Sequence, residues 1–110
     1  MVPFLEERPL LEDENERYGC PGISNETASL YNHCIRAVEI SLKFGAHGLP
    51  LMGTGDWNDG MNTVGSKGSG ESVWLGWFLS SVLNMMSPIC TLMDDKERSE
   101  RYTKISGSMR

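Results

Sequence analysis

Residues 71–86, ESVWLGWFLSSVLNMM, are apolar on nearly every side of a helix, and this constrains the chain more than any other feature. Val73, Trp74, Trp77, Phe78, Ser81 and Val82 fall on one broad face, and Leu75, Leu79 and Leu83 widen it. Such a helix must be buried among other helices. A chain of 110 residues has too few neighbours to cover it, so its natural setting is a larger helical array.

The flanking segments supply two more helices. Residues 25–45, NETASLYNHCIRAVEISLKFG, bring Leu30, Cys34, Ala37, Val38 and Ser41 or Leu42 to one face, with Asn25 as cap, Glu26 in the first turn and Gly45 as stop. Residues 87–106 restart with Ser87 as cap and Pro88 at the first helical position, directing Ile89, Leu92, Met93, Tyr102 and Ile105 to a core. Residues 1–24 mix prolines, acids and glycine without a period and read as an irregular surface segment. No alternating pattern of useful length occurs, although HGLPLMG is a short apolar run that could be extended. The expected class is all-α, with a buried helix over 71–86 and a loop over 46–70.

Fifteen acidic against ten basic residues give a net charge of -5, and the basic ones are scattered. That excludes the electrostatic footprint of a nucleic-acid binder. No run approaches the roughly 18 consecutive apolar residues that span a bilayer, and the N-terminal residues lack a basic start followed by an apolar stretch. The expectation is a segment with neither an export signal nor membrane contact. Cys20, Cys34 and Cys90 have no metal-ligand spacing, and an odd set of free thiols suits a reducing, cytoplasmic setting.

The chemistry concentrates in the loop, which is longer than helix connections usually are. GTGDWNDGMN, 53–62, holds Asp56, Trp57, Asn58 and Asp59 among glycines that let the backbone approach a ligand closely. A pyranose presents an apolar C–H face and a ring of hydroxyls. Trp57 offers the first a platform, and Asp56 and Asn58 offer the second acceptors and donors. A carboxylic acid beside an indole can also keep its proton near neutral pH, as a general acid must. Asp59 or Asp56 fits that role. A calcium loop fails, because after Asp56, Asn58 and Gly60 its sixth position would be Met61 and its twelfth Lys67. A structural reading, with the aspartates capping turns and Trp57 filling a core gap, uses the same residues.

GAHGLPLMGTGDWNDGMNTVG followed by GESVWLGWFL closely resembles the catalytic domain of glycoside hydrolase family 94, the inverting phosphorylases of β-linked glucosides. The wider agreement, from FLEERPL through ERYGCPGISNETASLYNHCIRAVEISLKFGAHGLP, is most similar to the cyclic β-1,2-glucan synthase and 1,2-β-oligoglucan phosphorylase branch, over roughly Val2 to Ile105. The resemblance implies a fragment of an (α/α)6 barrel, with residues 1–110 as a partial catalytic domain. It implies Asp59 as general acid and Asp56 and Trp57 as binders of the sugar next to the scissile bond, to which the carboxamide chemistry above adds Asn58.

The implied reaction is phosphorolysis of a β-glucan oligosaccharide with inversion, giving glucose 1-phosphate. Inorganic phosphate is the co-substrate, and no metal or organic cofactor is implied. An inverting hydrolase needs a second carboxylate to activate water. Phosphate is already an anionic nucleophile, so one acid suffices and Asp56 becomes a binder. The phosphate site is expected outside this sequence, since neither His33 nor His47 matches its histidine. A cyclic glucan synthase parent would also be associated with the inner membrane. Thr63 stands where a basic residue is common. Glu71 serves equally well as an acid at a helix N-terminus or as an orienter of the loop backbone. Trp74 and Trp77, at helical spacing, read as core. A non-catalytic carbohydrate-binding or structural helical module is the competing reading.

Overall fold

The computed structural model describes residues 1–11, 13–14, 17–53, 65 and 67–109. The chain divides into two compact units, Met1–Ile40 and Ser41–Arg110. Contrary to the all-α expectation, the described residues form three helices and a two-stranded antiparallel ribbon.

In the first unit β1 (Val2–Glu6) pairs with β2 (Gly22–Ala28), matching Val2 with Ala28 and Glu6 with Gly22. The register is irregular between Pro3 and Leu5, at Phe4. There the Phe4 ring stacks on His33 at 3.9 Å, and the Arg36 guanidinium lies 4.2 Å from its centroid. His33 Nε2 meets the carbonyl of Val2 at 3.0 Å, and Arg36 pairs with Glu26 at 3.2 Å. His33 and Arg36 are one turn-spacing apart on α1 (Leu30–Ser41), so a single helical face holds the ribbon.

The segment expected to be irregular, 1–24, thus contains β1 and enters β2, and the expected helix over 25–45 begins only at Leu30. Its cap is Ser29, whose Oγ accepts from the amide of Asn32 at 3.2 Å, not Asn25. The ribbon escaped the sequence pattern because neither strand has a buried face: Leu5 and Ile23 are exposed, so nothing alternates. Ile35 and Val38 are the buried residues of α1, whereas Leu30 and Cys34 face solvent.

The second unit rests on α2 (Val73–Leu92) and α3 (Lys96–Ser108), which pack on each other. Gly76, Leu79, Ser80, Leu83, Met86 and Cys90 form the buried stripe of α2, opposed by Tyr102 and Ser106 of α3. Leu79 and Leu83, which widen the expected face, belong to this stripe, whereas the centre of that face at Val73, Trp74, Trp77 and Phe78 does not. Trp77 is 68% exposed and Phe78 56%, while Trp74 and Phe78 stack on each other at 5.6 Å. The smaller side chains won the interface because Gly76 and Ser80 let α2 approach its neighbours closely. Of the residues expected to point to a core from 87–106, Tyr102 is fully buried and Ile105 half-buried, whereas Ile89, Leu92 and Met93 are exposed.

Nor does a helix start at Pro88. Pro88 lies inside α2, which runs on to Leu92 and is capped at Met93. An interior proline costs about 3 kcal/mol, and the residues around it make polar contacts with α3. Ser87 Oγ donates to the Ser99 carbonyl at 3.0 Å and meets Thr103 Oγ1 at 2.8 Å, while Thr91 Oγ1 meets Ser99 Oγ at 2.9 Å. The break comes at Asp94, whose φ of 60° reverses the chain, and Asp95 then caps α3 by accepting from the amide of Arg98. By length and composition α2 could also cross a membrane. Its apolar run is not continuous, since Gly76, Ser80, Ser81 and Asn84 interrupt it, and a core helix has the same length and composition.

Candidate functional site

The loop that carries the sugar-type residues is tied at its base by three short stretches of extended backbone. Phe44 bridges Pro50 and Leu51 bridges Glu71, both antiparallel. The amide of Leu51 donates to the Lys43 carbonyl at 2.9 Å, that of Met52 to Gly70 at 2.9 Å and that of Ser72 to Pro50 at 3.0 Å. Between the first two stretches the chain turns at 45–49. Gly45 N donates to the Leu49 carbonyl, and Gly48 adopts φ 76°, which a residue with a Cβ resists.

This base stands on α2. Ser72, at the end of the third stretch, caps the helix by accepting from the amide of Leu75 at 3.1 Å. Leu49 and Pro50 pack over Gly76, where a Cβ would stand 3.3 Å from the Leu49 side chain. Met52 is buried. Only the middle of the HGLPLMG run, Pro50 to Met52, is extended; His47 and Gly48 belong to the turn before it, and the extended part is anchored on the most apolar helix.

Glu71 ties the three stretches together. Its Oε1 accepts from the amide of His47 at 3.0 Å and from His47 Nδ1 at 3.1 Å, and its Oε2 accepts from the amide of Leu49 at 3.2 Å. A carboxylate only accepts, so Nδ1 carries the proton in this contact. The His47 amide is the foremost cause that holds the Glu71 carboxyl below its ordinary value; burial opposes it, and the Leu49 amide and the imidazole add to it. The Glu71 side chain is 11% exposed and the His47 ring 85% exposed. Of the two roles open to Glu71 in sequence, the structure selects the orienter: the residue precedes the cap of α2, and its oxygens face the 45–49 turn. His47 fixes that turn chiefly through its backbone.

Beside these residues lies an open depression of about 560 Å³, lined by Phe44, His47, Leu51, Ser69 and Glu71 among others. At the mouth of the loop the backbones of Gly53 and Gly65 touch: a Cβ on Gly65 would overlap the Gly53 carbonyl oxygen. The sequence-expected residues Asp56, Trp57, Asn58 and Asp59, with Thr63, fall between these glycines and lie outside the described residues. Among the described residues no cluster of His, Cys, Asp or Glu is set to hold a metal ion.

Compared with known families, residues 1–110 match the catalytic domain of the glycosyl hydrolase 94 superfamily. The chain belongs to this family. Among curated members of similar sequence, the cyclic β-(1,2)-glucan synthase NdvB of Rhizobium meliloti (strain 1021) is 44% identical over 98 residues, covering 88% of this chain and 4% of that protein. The 3-O-β-D-glucopyranosyl-β-D-glucuronide phosphorylase of Paenibacillus borealis is 37% identical over 84 residues, 76% of this chain and 11% of its own length. Solabiose phosphorylase from the same organism is 38% identical over 65 residues, 58% of this chain and 8% of its own length. This family 94 chain thus spans a small part of the relatives it matches, and they comprise a glucan synthase and phosphorylases.

Proposed function

We propose that this chain is the acid-bearing part of a larger (α/α)6-barrel domain that phosphorolyses β-linked glucans with inversion, with β-1,2-glucan as the favoured substrate. The match of the whole chain to the family's catalytic domain carries this reading. The similarity to a cyclic β-(1,2)-glucan synthase supports the linkage.

In the proposed step an oxygen of inorganic phosphate attacks the anomeric carbon from the face opposite the leaving group. The glycosidic C–O bond breaks, and Asp59 gives its proton to the departing oxygen. The products are glucose 1-phosphate of inverted configuration and a glucan one residue shorter, and the Asp59 carboxylate is reprotonated from solvent. Asp56, Trp57 and Asn58 hold the sugar next to the scissile bond. Phosphate supplies the nucleophile, so the step calls for neither a metal nor an organic cofactor. Inorganic phosphate and sugar phosphates are cytoplasmic currency, which suits a domain facing that compartment whether or not the full-length protein is membrane-associated.

The test is glucose 1-phosphate release from β-1,2-linked oligoglucans and phosphate by the full-length protein, alongside Asp59→Asn. The wild type is expected to form product, and the variant to lose turnover while still binding the sugar. Sugar binding without product in the wild type would instead identify a non-catalytic carbohydrate-binding module.

A further inference from the structure

We infer that Glu71 is a positioning residue for the acid-bearing loop, locking the 45–49 turn to residues 70–72 and so fixing Gly53 and Gly65, between which Asp59 is carried. The inference rests on the phosphorylase reading proposed above.

Three observations converge on it. The carboxylate of Glu71 accepts from two main-chain amides, those of His47 and Leu49, on the far side of the turn. Its own backbone is paired with Leu51, one residue from Met52, whose amide bonds to Gly70. Finally, its side chain fills the space where a Cβ of Gly45 would stand, so the close approach depends on glycine at that position. One side chain therefore clamps the entry and the exit of the loop to each other, and Ser72 joins the exit to α2.

A general acid must sit within hydrogen-bond reach of the oxygen it protonates, and a small displacement lowers turnover more than it lowers binding. Loosening the clamp should thus appear in kcat. A residue that touched the substrate from the neighbouring depression would appear in KM.

The experiment compares Glu71→Ala, Glu71→Gln and Gly45→Ala in the full-length protein, measuring kcat, KM for oligoglucan and phosphate, and amide hydrogen exchange. Glu71→Ala should lower kcat at least tenfold and leave both KM values within about threefold. Glu71→Gln, which keeps one acceptor oxygen, should recover part of the loss. Gly45→Ala, which displaces the carboxylate, should reproduce it and serves if Glu71→Ala does not fold. The amides of His47, Leu49 and Leu51 should exchange faster in the impaired variants. Unchanged kcat in Glu71→Ala, a rise in KM that accounts for the whole defect, or amide protection equal to wild type would each overturn the inference. Should the wild type form no sugar phosphate, the phosphorylase reading fails by itself, and the exchange measurement still decides whether Glu71 is the clamp.

Discussion

The carboxylate of Glu71 occupies the position that a side chain on Gly45 would take, so these two residues, far apart in sequence, specify each other. Either the turn at 45–49 carries a glycine or the clamp is displaced.

This clamp has a pH signature. The carboxyl of Glu71 is held below its ordinary value of 4.5, first by the His47 amide. A group whose native value is lowered stabilises the fold fully above its unfolded value, and the contribution is lost as pH falls through the native one. Protection of the His47 and Leu49 amides, corrected for intrinsic exchange, should therefore hold above pH 4.5 and decline below it. In Glu71→Gln it should be lower at neutral pH and insensitive to this titration. A Gln variant that titrates like the wild type would assign the effect to another group.

At the mouth of the loop, Gly65→Ala brings a Cβ into the Gly53 carbonyl oxygen, a backbone atom that cannot rotate aside. Gly48→Ala meets nothing within 4 Å and strains only its own left-handed backbone, at a cost of about 1–2 kcal/mol. Turnover of the full-length protein should accordingly fall much further in Gly65→Ala than in Gly48→Ala. Equal effects would place the sensitivity outside this contact.

Between α2 and α3 the hydroxyls of Ser80 and Ser106 lie 2.9 Å apart, and each also reaches the other's carbonyl. Deleting one leaves its partner bonded, so Ser106→Ala should cost only about 1 kcal/mol. Ser106→Val forces bulk into a site that is 1% exposed and should cost about 1–3 kcal/mol. Urea midpoints of the helical signal rank the two, and a valine variant as stable as alanine would mean that the helices can separate at this point.

The face bearing Trp74, Trp77 and Phe78 is unburied in this chain. The isolated segment should bind a hydrophobic dye, and Trp77→Ser should reduce that signal without lowering its melting temperature, because the residue is already 68% exposed. If the substitution destabilises the segment, Trp77 is packed against something in solution.

The sequence was most informative where an element's signals are local. The apolar character of α2 and the extended stretch Pro50 to Met52 are both visible in consecutive residues. Helix boundaries were less legible, because two candidates compete at each end: Ser29 displaces Asn25 as a cap once residues 22–28 pair with β1, a partner beyond any local window. Pro88 misled for a related reason: it lies inside α2 in a stretch where Ser87 and Thr91 make hydroxyl contacts to α3, partners beyond any local window. The stripe that α2 buries followed from closeness of approach at Gly76 and Ser80 instead of from total apolar area. Around the loop, Glu71 was recognisable as an acid with a local role, but only its place opposite the 45–49 turn distinguishes an orienter from a helix-dipole acid. Asp56, Trp57, Asn58 and Asp59 remain a proposal from sequence and family.

The contact of Gly53 with Gly65 makes a narrow neck between the described frame and the residues it carries. Gly53 follows the stretch whose Met52 amide bonds to Gly70, and its carbonyl meets Gly65, so the two ends of the intervening segment are held side by side by the frame. A graft of another family member's residues at 54–64 would therefore meet two seams whose spacing is already set.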